Sequence, residues 1–303
     1  MTTDNVVTVR GLRKTYGLGP GAVTAVDGID FDIARGEVFA LLGPNGAGKS
    51  STVEILEGYH DRSGGTVTVL DADPQHLHGG ALRDWKARIG IVLQSPNEQN
   101  PLTVRQMLTQ VAAFYPAPRA VDDVIAAVGL AEKASSRINK LSGGQRRRVD
   151  VALGIVGRPE LLFLDEPTTG FDPEARREFW GLIRSLQAEG TSILLTTHYL
   201  DEAAQLADRV GIIAAGKLVD IGSVDEIGGA EARVPLVRWH EGGEVRERRT
   251  HEPGRLVAEL GARFAGEPPA LEVIRPSLED VYLELIKQTR ADAAAAAPEE
   301  ALA

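Results

Sequence analysis

Residues 38–56 read VFALLGPNGAGKSSTVEIL: an apolar run, a glycine-rich turn, then a second apolar pattern at helical spacing. Residues 38–42 have the composition of a strand buried on both faces. Gly43-Pro44-Asn45-Gly46-Ala47-Gly48-Lys49-Ser50 matches G-x-x-x-x-G-K-[ST], the pattern of a phosphate-cradling loop. Its glycines let the backbone curl until successive N–H groups point at phosphate oxygens. A helix that begins near Ser50 and continues through Ser51, Val53 and Ile55 adds the partial positive charge of its N-terminus. Lys49 can reach the β- and γ-phosphates, and the Ser50 hydroxyl suits Mg²⁺.

A phosphate loop of this kind needs a carboxylate on a neighbouring strand. Leu161-Leu162-Phe163-Leu164-Asp165-Glu166 supplies two, at the end of a run that fits a strand buried on both faces. Asp165 is placed to hold Mg²⁺ through its waters. Glu166, one residue on and therefore pointing the other way, can act as general base toward the attacking water.

Outward from these two segments, short runs rich in Val, Ile and Leu alternate with longer helical patterns, which predicts an α/β domain with a mostly parallel sheet. Residues 6–12 and 29–33 read as strands near the start, in a region with little helical pattern, and 89–93, 192–197 and 210–214 as further core strands. Residues 95–157 turn helical, with one segment opened by Leu102-Thr103-Val104 and another over 119–130, a subdomain inserted between two core strands. This first domain is expected to span 1–226. Beyond it, Gly228-Gly229, Gly242-Gly243 and Pro268-Pro269 punctuate strand-like pieces at 234–239, 244–250 and 271–274. Ser277 then caps a helix over 278–287 with Val281 and Leu285 on one face, giving a small α+β domain over 227–290. Residues 291–303, ADAAAAAPEEALA, read as a frayed or disordered tail.

Composition removes several alternatives. A formal net charge of -10 speaks against a general nucleic-acid binder. With no cysteine, neither a disulfide framework nor a thiolate metal site is available. The start, MTTDNVVTVR, has none of the features of a signal peptide, and no stretch approaches the roughly 20 apolar residues that span a bilayer.

Leu141-Ser142-Gly143-Gly144-Gln145 resembles the signature motif of ABC ATPases. The other motifs of that family follow in its order over roughly residues 5–226. Lys14-Thr15-Tyr16-Gly17 resembles the loop whose aromatic ring, here Tyr16, stacks on adenine. Gln94 resembles the glutamine that contacts Mg²⁺ or the water, Thr168-Thr169-Gly170-Phe171-Asp172-Pro173 the D-loop, and His198 the switch histidine. Phe171 stands where the family more often has Leu, which preserves apolar packing. Arg146-Arg147-Arg148 reads as a solvated helix face.

The resemblance implies an α/β fold with a P-loop NTPase core. It further implies an antiparallel N-terminal region, a helical subdomain carrying the signature, and a small C-terminal α+β extension. It implies an ATPase using ATP and Mg²⁺, with Glu166 and His198 catalytic. The nucleotide would be held by Tyr16, Gly43 to Ser51, Gln94 and Ser142 to Gln145, and the metal by Ser50, Gln94 and Asp165. In the family, Ser142 and the amides of Gly143 and Gly144 complete the site of a second copy. The expected partners are therefore a second copy or a related ATPase subunit and a separate transmembrane permease, with no nucleic acid, at the cytoplasmic face of the membrane. A single cassette and an ordinary subdomain between Ser50 and Asp165 favour transport over a two-cassette translation factor or a coiled-coil chromosome ATPase. Pro276-Ser277-Leu278-Glu279-Asp280-Val281-Tyr282-Leu283 resembles the tail of ATPases from daunorubicin-resistance-type (ABC-2) drug exporters. An importer, or a lipid or polysaccharide exporter, remains the alternative.

Overall fold

The computed structural model describes residues 4–92 and 101–296. The chain opens with β1 (Asn5–Tyr16) and β2 (Val23–Ala34), paired antiparallel. Both strands outrun the apolar cores expected at 6–12 and 29–33, because polar residues beyond them keep ladder partners, as Thr15 does with Thr24. β3 (Val38–Leu42) is buried at every position and leads through the glycine loop into α1 (Lys49–Leu56). β4 (Gly64–Val69) returns to the other side of β1, completing an antiparallel sheet in the order β2-β1-β4.

α2 (Gly79–Lys86) precedes β5 (Ile89–Val92); Leu93 and Gln94, expected to close this strand, lie outside the described residues. α3 (Val104–Ala112), α4 (Val121–Ala127) and α5 (Gly143–Ile155) pack on one another as the expected helical insertion before β6 (Leu161–Asp165). Thr103 opens α3 with a capping box: its hydroxyl accepts from the Gln106 N–H while the Gln106 side chain accepts from the Thr103 N–H. α4 is shorter than the 119–130 expected, since Gly129, at φ +68°, closes it early. The chain continues through α6 (Pro173–Ala188), β7 (Ser192–Thr196), α7 (Leu200–Leu206), β8 (Arg209–Ala214) and β9 (Lys217–Ser223).

The second sheet has the order β5-β6-β7-β3-β8-β9, and its pairs from β5 to β8 are parallel. Parallel strands are stable only with both faces covered, and every residue of β3 and β7 is buried. Phe31 of the first sheet stacks on Phe39 of the second at 5.5 Å, within one core that also holds Leu56, Trp85 and Phe163. Because β6, β7 and β3 are neighbours and run the same way, their C-terminal ends share one edge. The glycine loop, Asp165-Glu166 and Thr197-His198 all leave the sheet there, the edge at which open α/β sheets bind ligands.

The chain divides into two compact units, Met1–Ile221 and Gly222–Ala303. The second contains α8 (Gly229–Ala232), β10 (Leu236–Glu241), β11 (Glu244–Arg249), α9 (Pro253–Arg263), β12 (Glu272–Ile274) and α10 (Leu278–Ala296). Its strands form an antiparallel sheet β11-β10-β12, and Val237 and Trp239 pack on Leu256 and Leu260 of α9. Ser277 caps α10, its hydroxyl accepting from the Asp280 N–H at 3.2 Å. The helix runs past the expected end at 287 and takes in 291–296 of the segment expected to fray, in keeping with alanine's high helix propensity. Among the described residues no helix is long and apolar enough to cross a membrane.

Candidate nucleotide site

The loop between β3 and α1 is held from two sides. Gly48 has φ +107°, and a Cβ there would sit 2.3 Å from the Ala25 carbonyl oxygen of β2. At Gly43 a Cβ would sit 2.2 Å from the Ile213 carbonyl oxygen of β8. Ala47 O accepts from the Gly216 N–H at 3.0 Å, so the turn after β8 also fixes the loop. With Gly48 as its N-cap, α1 has no side-chain cap, and the first amides of the helix have no intrahelical acceptor. Lys49 is buried, and its ammonium donates to Gly43 O at 2.7 Å and Pro44 O at 3.1 Å. Burial lowers its pKa, against the charges of Glu166 and Asp165, which hold it up.

The two acids address different partners. Asp165 accepts from the Thr196 hydroxyl of the neighbouring strand. Glu166 takes φ +45°, outside the range a strand allows, while its N–H donates to Thr196 O at 3.0 Å. A non-glycine residue held there stores strain and marks a candidate functional position. Its Oε1 lies 3.1 Å from His198 Nδ1, and its Oε2 accepts from the Thr169 hydroxyl at 3.4 Å. Lys49, Asp165, Glu166 and His198, far apart in sequence, are thus gathered at one edge of the sheet.

The arginine run is not a solvated face. Arg147 is 6% exposed, and its guanidinium donates to the carbonyls of Asp165 (2.5 Å), Pro167 (3.1 Å) and Glu166 (3.3 Å). It clamps the chain just where Glu166 turns left-handed. Arg148 pairs with Glu178 at 2.6 Å, and Arg146 donates to Leu141 O at 2.8 Å. One turn along α5, burial pushes the Asp150 carboxyl up to about 6 against the pull of Arg147 and Arg146.

A second group that sequence reasoning missed is Glu57, which closes α1 at 3% exposure. Burial, then the charges of Asp165 and Glu54, push its carboxyl up to about 8. Its position four residues after the buried Val53 was the available signal.

Tyr16 is 38% exposed and its hydroxyl lies 3.1 Å from that of Ser51, which sets the ring beside the first turn of α1. Lys14 Nζ lies 4.6 Å from the ring centroid. Ser142 caps α5 in a second capping box with Gln145, while Gly143 and Gly144 form its first turn. Phe171 is buried, edge-on to Phe179, and lies next to Gly144. Among the described residues no hydrogen bond joins Ser142 to Gln145 with the loop at 43–51.

The fold and these groups together define a nucleotide-binding ATPase. Residues 26–169 match the family model described as ABC transporter. The chain belongs to that family, as one of its ATP-binding subunits, and is an ATPase. It is 34% identical to the Nod factor export ATP-binding protein I of Ralstonia nicotianae, covering 92% of this chain and 93% of the relative. It is 35% identical to a daunorubicin resistance ATP-binding protein of Streptomyces coeruleorubidus, over 95% and 98%. Its fold matches a dimeric ATP-binding cassette solved in a post-hydrolysis state with ADP and Pi, with a TM-score of 0.65 and 23% identity, over 72% of this chain and 98% of that one.

Proposed function

We propose that this subunit hydrolyses ATP to drive export of a drug, antibiotic or lipid-like molecule through a separate ABC-2 type membrane subunit, at the cytoplasmic face of the membrane. The export direction is supported by export and resistance relatives that match at least 92% of this chain, the small C-terminal unit included. In this reading the domains follow the two units, the first carrying the chemistry.

ATP would lie with its adenine against the exposed ring of Tyr16 and its phosphates on the loop from Gly43 to Ser51. Asn45 and the amides of Gly46, Ala47, Gly48, Lys49, Ser50 and Ser51 face the phosphate oxygens. Lys49 would exchange its two loop carbonyls for phosphate oxygens, and its burial strengthens that attraction. Ser50 and Asp165, with Gln94, supply the oxygen donors for Mg²⁺. A hydroxyl, a carboxylate and an amide oxygen are hard donors that suit Mg²⁺. When bound, Mg²⁺ would supply positive charge against the phosphates. Glu166 takes a proton from water as the water oxygen bonds to the γ-phosphorus and the bond to the ADP oxygen breaks. His198 would hold Glu166 through Nδ1 and leave Nε2 for the γ-phosphate.

Ser142, Gly143, Gly144 and Gln145 serve the nucleotide of a second copy or a related subunit. The observation that supports this is the helix start at Ser142, capped and exposed at the surface. Helix termini act only within the first turn, so this signature would have to be brought against the phosphates, and the dimeric assembly of a similar cassette supports a second chain as the one that receives it. Lys49→Ala and Ser142→Arg each damage both sites of a homodimer. A heterodimer of the two carries one doubly damaged site and one intact site, so single-turnover hydrolysis should return in tag-separated mixtures. A dead mixture with heterodimers present refutes sharing.

A further inference from the structure

Among the described residues, the imidazole of His198 has one polar tie, Nδ1 to Glu166 Oε1 at 3.1 Å, and its side chain is 45% exposed. The torsion that turns an imidazole about its Cβ–Cγ bond is soft and roughly two-fold. A half-turn would bring the Cδ2 carbon to Glu166 in place of Nδ1 and carry Nε2 away from the γ-phosphate it is proposed to meet. One hydrogen bond is a weak hold on a ring with two partners to serve.

The ring of Tyr199 supplies a second hold. Its centroid lies 4.0 Å from that of His198, with 38° between the planes. Over Tyr199, in turn, stands the Arg176 guanidinium of α6, 4.6 Å from the ring centroid. That is within the range at which a cation is drawn to an aromatic face. The Tyr199 backbone is fixed as well. Its N–H donates to the Thr197 hydroxyl at 3.0 Å, and its carbonyl accepts from the Glu202 N–H at 3.0 Å as α7 begins.

Both residues stand where local rules favour something else. Tyr199 is the N-cap of α7 and gives no side-chain bond to the free amides there, a task that Ser, Thr, Asp or Asn performs. Arg176 lies one turn into α6, near the positive end of the helix, where the dipole favours acids such as Glu174. Its Nε is buried without a hydrogen-bond partner among the described residues. Residues that break local rules mark positions kept for another task, and these two share the contact that ends on His198.

We infer that Tyr199 is a positioning residue: its ring, held by the Arg176 cation, keeps the His198 imidazole in the plane that gives Nδ1 to Glu166 and Nε2 to the γ-phosphate. It acts through His198. The inference rests on the role proposed for His198.

Tyr199→Leu removes the ring, whereas Tyr199→Phe keeps it and drops the hydroxyl. In the full-length chain Tyr199→Leu should lower single-turnover hydrolysis about tenfold, with Tyr199→Phe within about twofold of wild type. Arg176→Gln, which uncovers the ring, should fall between the two. In a His198→Ala background Tyr199→Leu should cost nothing more, because the group it positions is gone. A residue that only packed the helix start would cost the same there as before. A wild-type rate in Tyr199→Leu, an equal loss in Tyr199→Phe, or losses that multiply with His198→Ala overturns the inference. Should Tyr199→Leu fail to fold, Arg176→Gln takes its place, and a wild-type rate or a loss that multiplies with His198→Ala is then the overturning result. Should the residual rate of His198→Ala be too slow to follow, the contrast between Tyr199→Leu and Tyr199→Phe decides. His198→Ala alone separates the two readings. If it retains turnover, the role proposed for His198 fails; if it loses turnover while Tyr199→Leu does not, only the positioning role fails.

Discussion

Replacing Arg147 by Met removes a buried guanidinium while keeping an unbranched side chain of similar reach. Three carbonyls, those of Asp165, Glu166 and Pro167, lose a charged donor. A hydrogen bond to a charged group contributes about 1.5–3 kcal/mol, but the three share one cation and the chain end can relax. Removing one partner of a buried charged network costs about 3–5 kcal/mol as a whole. In a unit of this size that lowers the melting temperature by about 10 °C. Differential scanning calorimetry of the full-length chain reads it directly, and turnover should fall with it, because Glu166 is held by the same clamp. Arg148→Met, which breaks a pair whose Glu178 partner is 57% exposed, should cost less than about 1 kcal/mol. If Arg147→Met melts within about 2 °C of wild type, or Arg148→Met proves the worse of the two, the clamp is not what holds this strand end.

Lys49→Ala should weaken ATP binding roughly hundredfold in a fluorescence titration, since it removes the cation proposed to meet the β- and γ-phosphates; unchanged affinity and turnover would contradict the cradle. Glu166→Gln should bind ATP normally, lose turnover by roughly hundredfold or more, and elute with ATP at the size of a dimer, whereas normal turnover leaves Glu166 as a strand-end residue only. Glu57, with a carboxyl pushed up to about 8 from an ordinary 4.5, keeps a proton in the folded chain that the unfolded chain releases across that window. Stability should therefore fall as pH rises from about 4.5 to 8, by roughly 1.4 kcal/mol per unit from this group. Glu57→Gln should match wild type at pH 4.5 and melt higher at pH 8; identical slopes for the two proteins would show that Glu57 ionises freely.

The glycine loop was legible because its constraint falls on composition: under the Ala25 and Ile213 carbonyls nothing but glycine fits. The strand ending in Asp165 was legible because burial on both faces leaves an unbroken apolar run. Arg147 was not, since three adjacent arginines look alike in one dimension. The signal lay in register: Arg147 precedes the buried Val151 by one turn and Ile155 by two, on the stripe that faces the core. Glu57 shares this difficulty, an acid on the inward face of a short helix whose need for a partner shows only when other segments surround it. In the C-terminal unit, the turn residues marked the strands, but the Pro253-Gly254 start hid α9.

The left-handed backbone at Glu166 also makes this position a record of what acts on the chain over generations. Glycine there would relieve roughly 1 kcal/mol of strain, so a lineage kept only for persistence would be drawn toward it, whereas with Glu166 in the proposed role of base one kept for turnover would retain the acid. A descendant that had undergone Glu166→Gly with its phosphate loop intact would be a cassette that still grips nucleotide after giving up its engine.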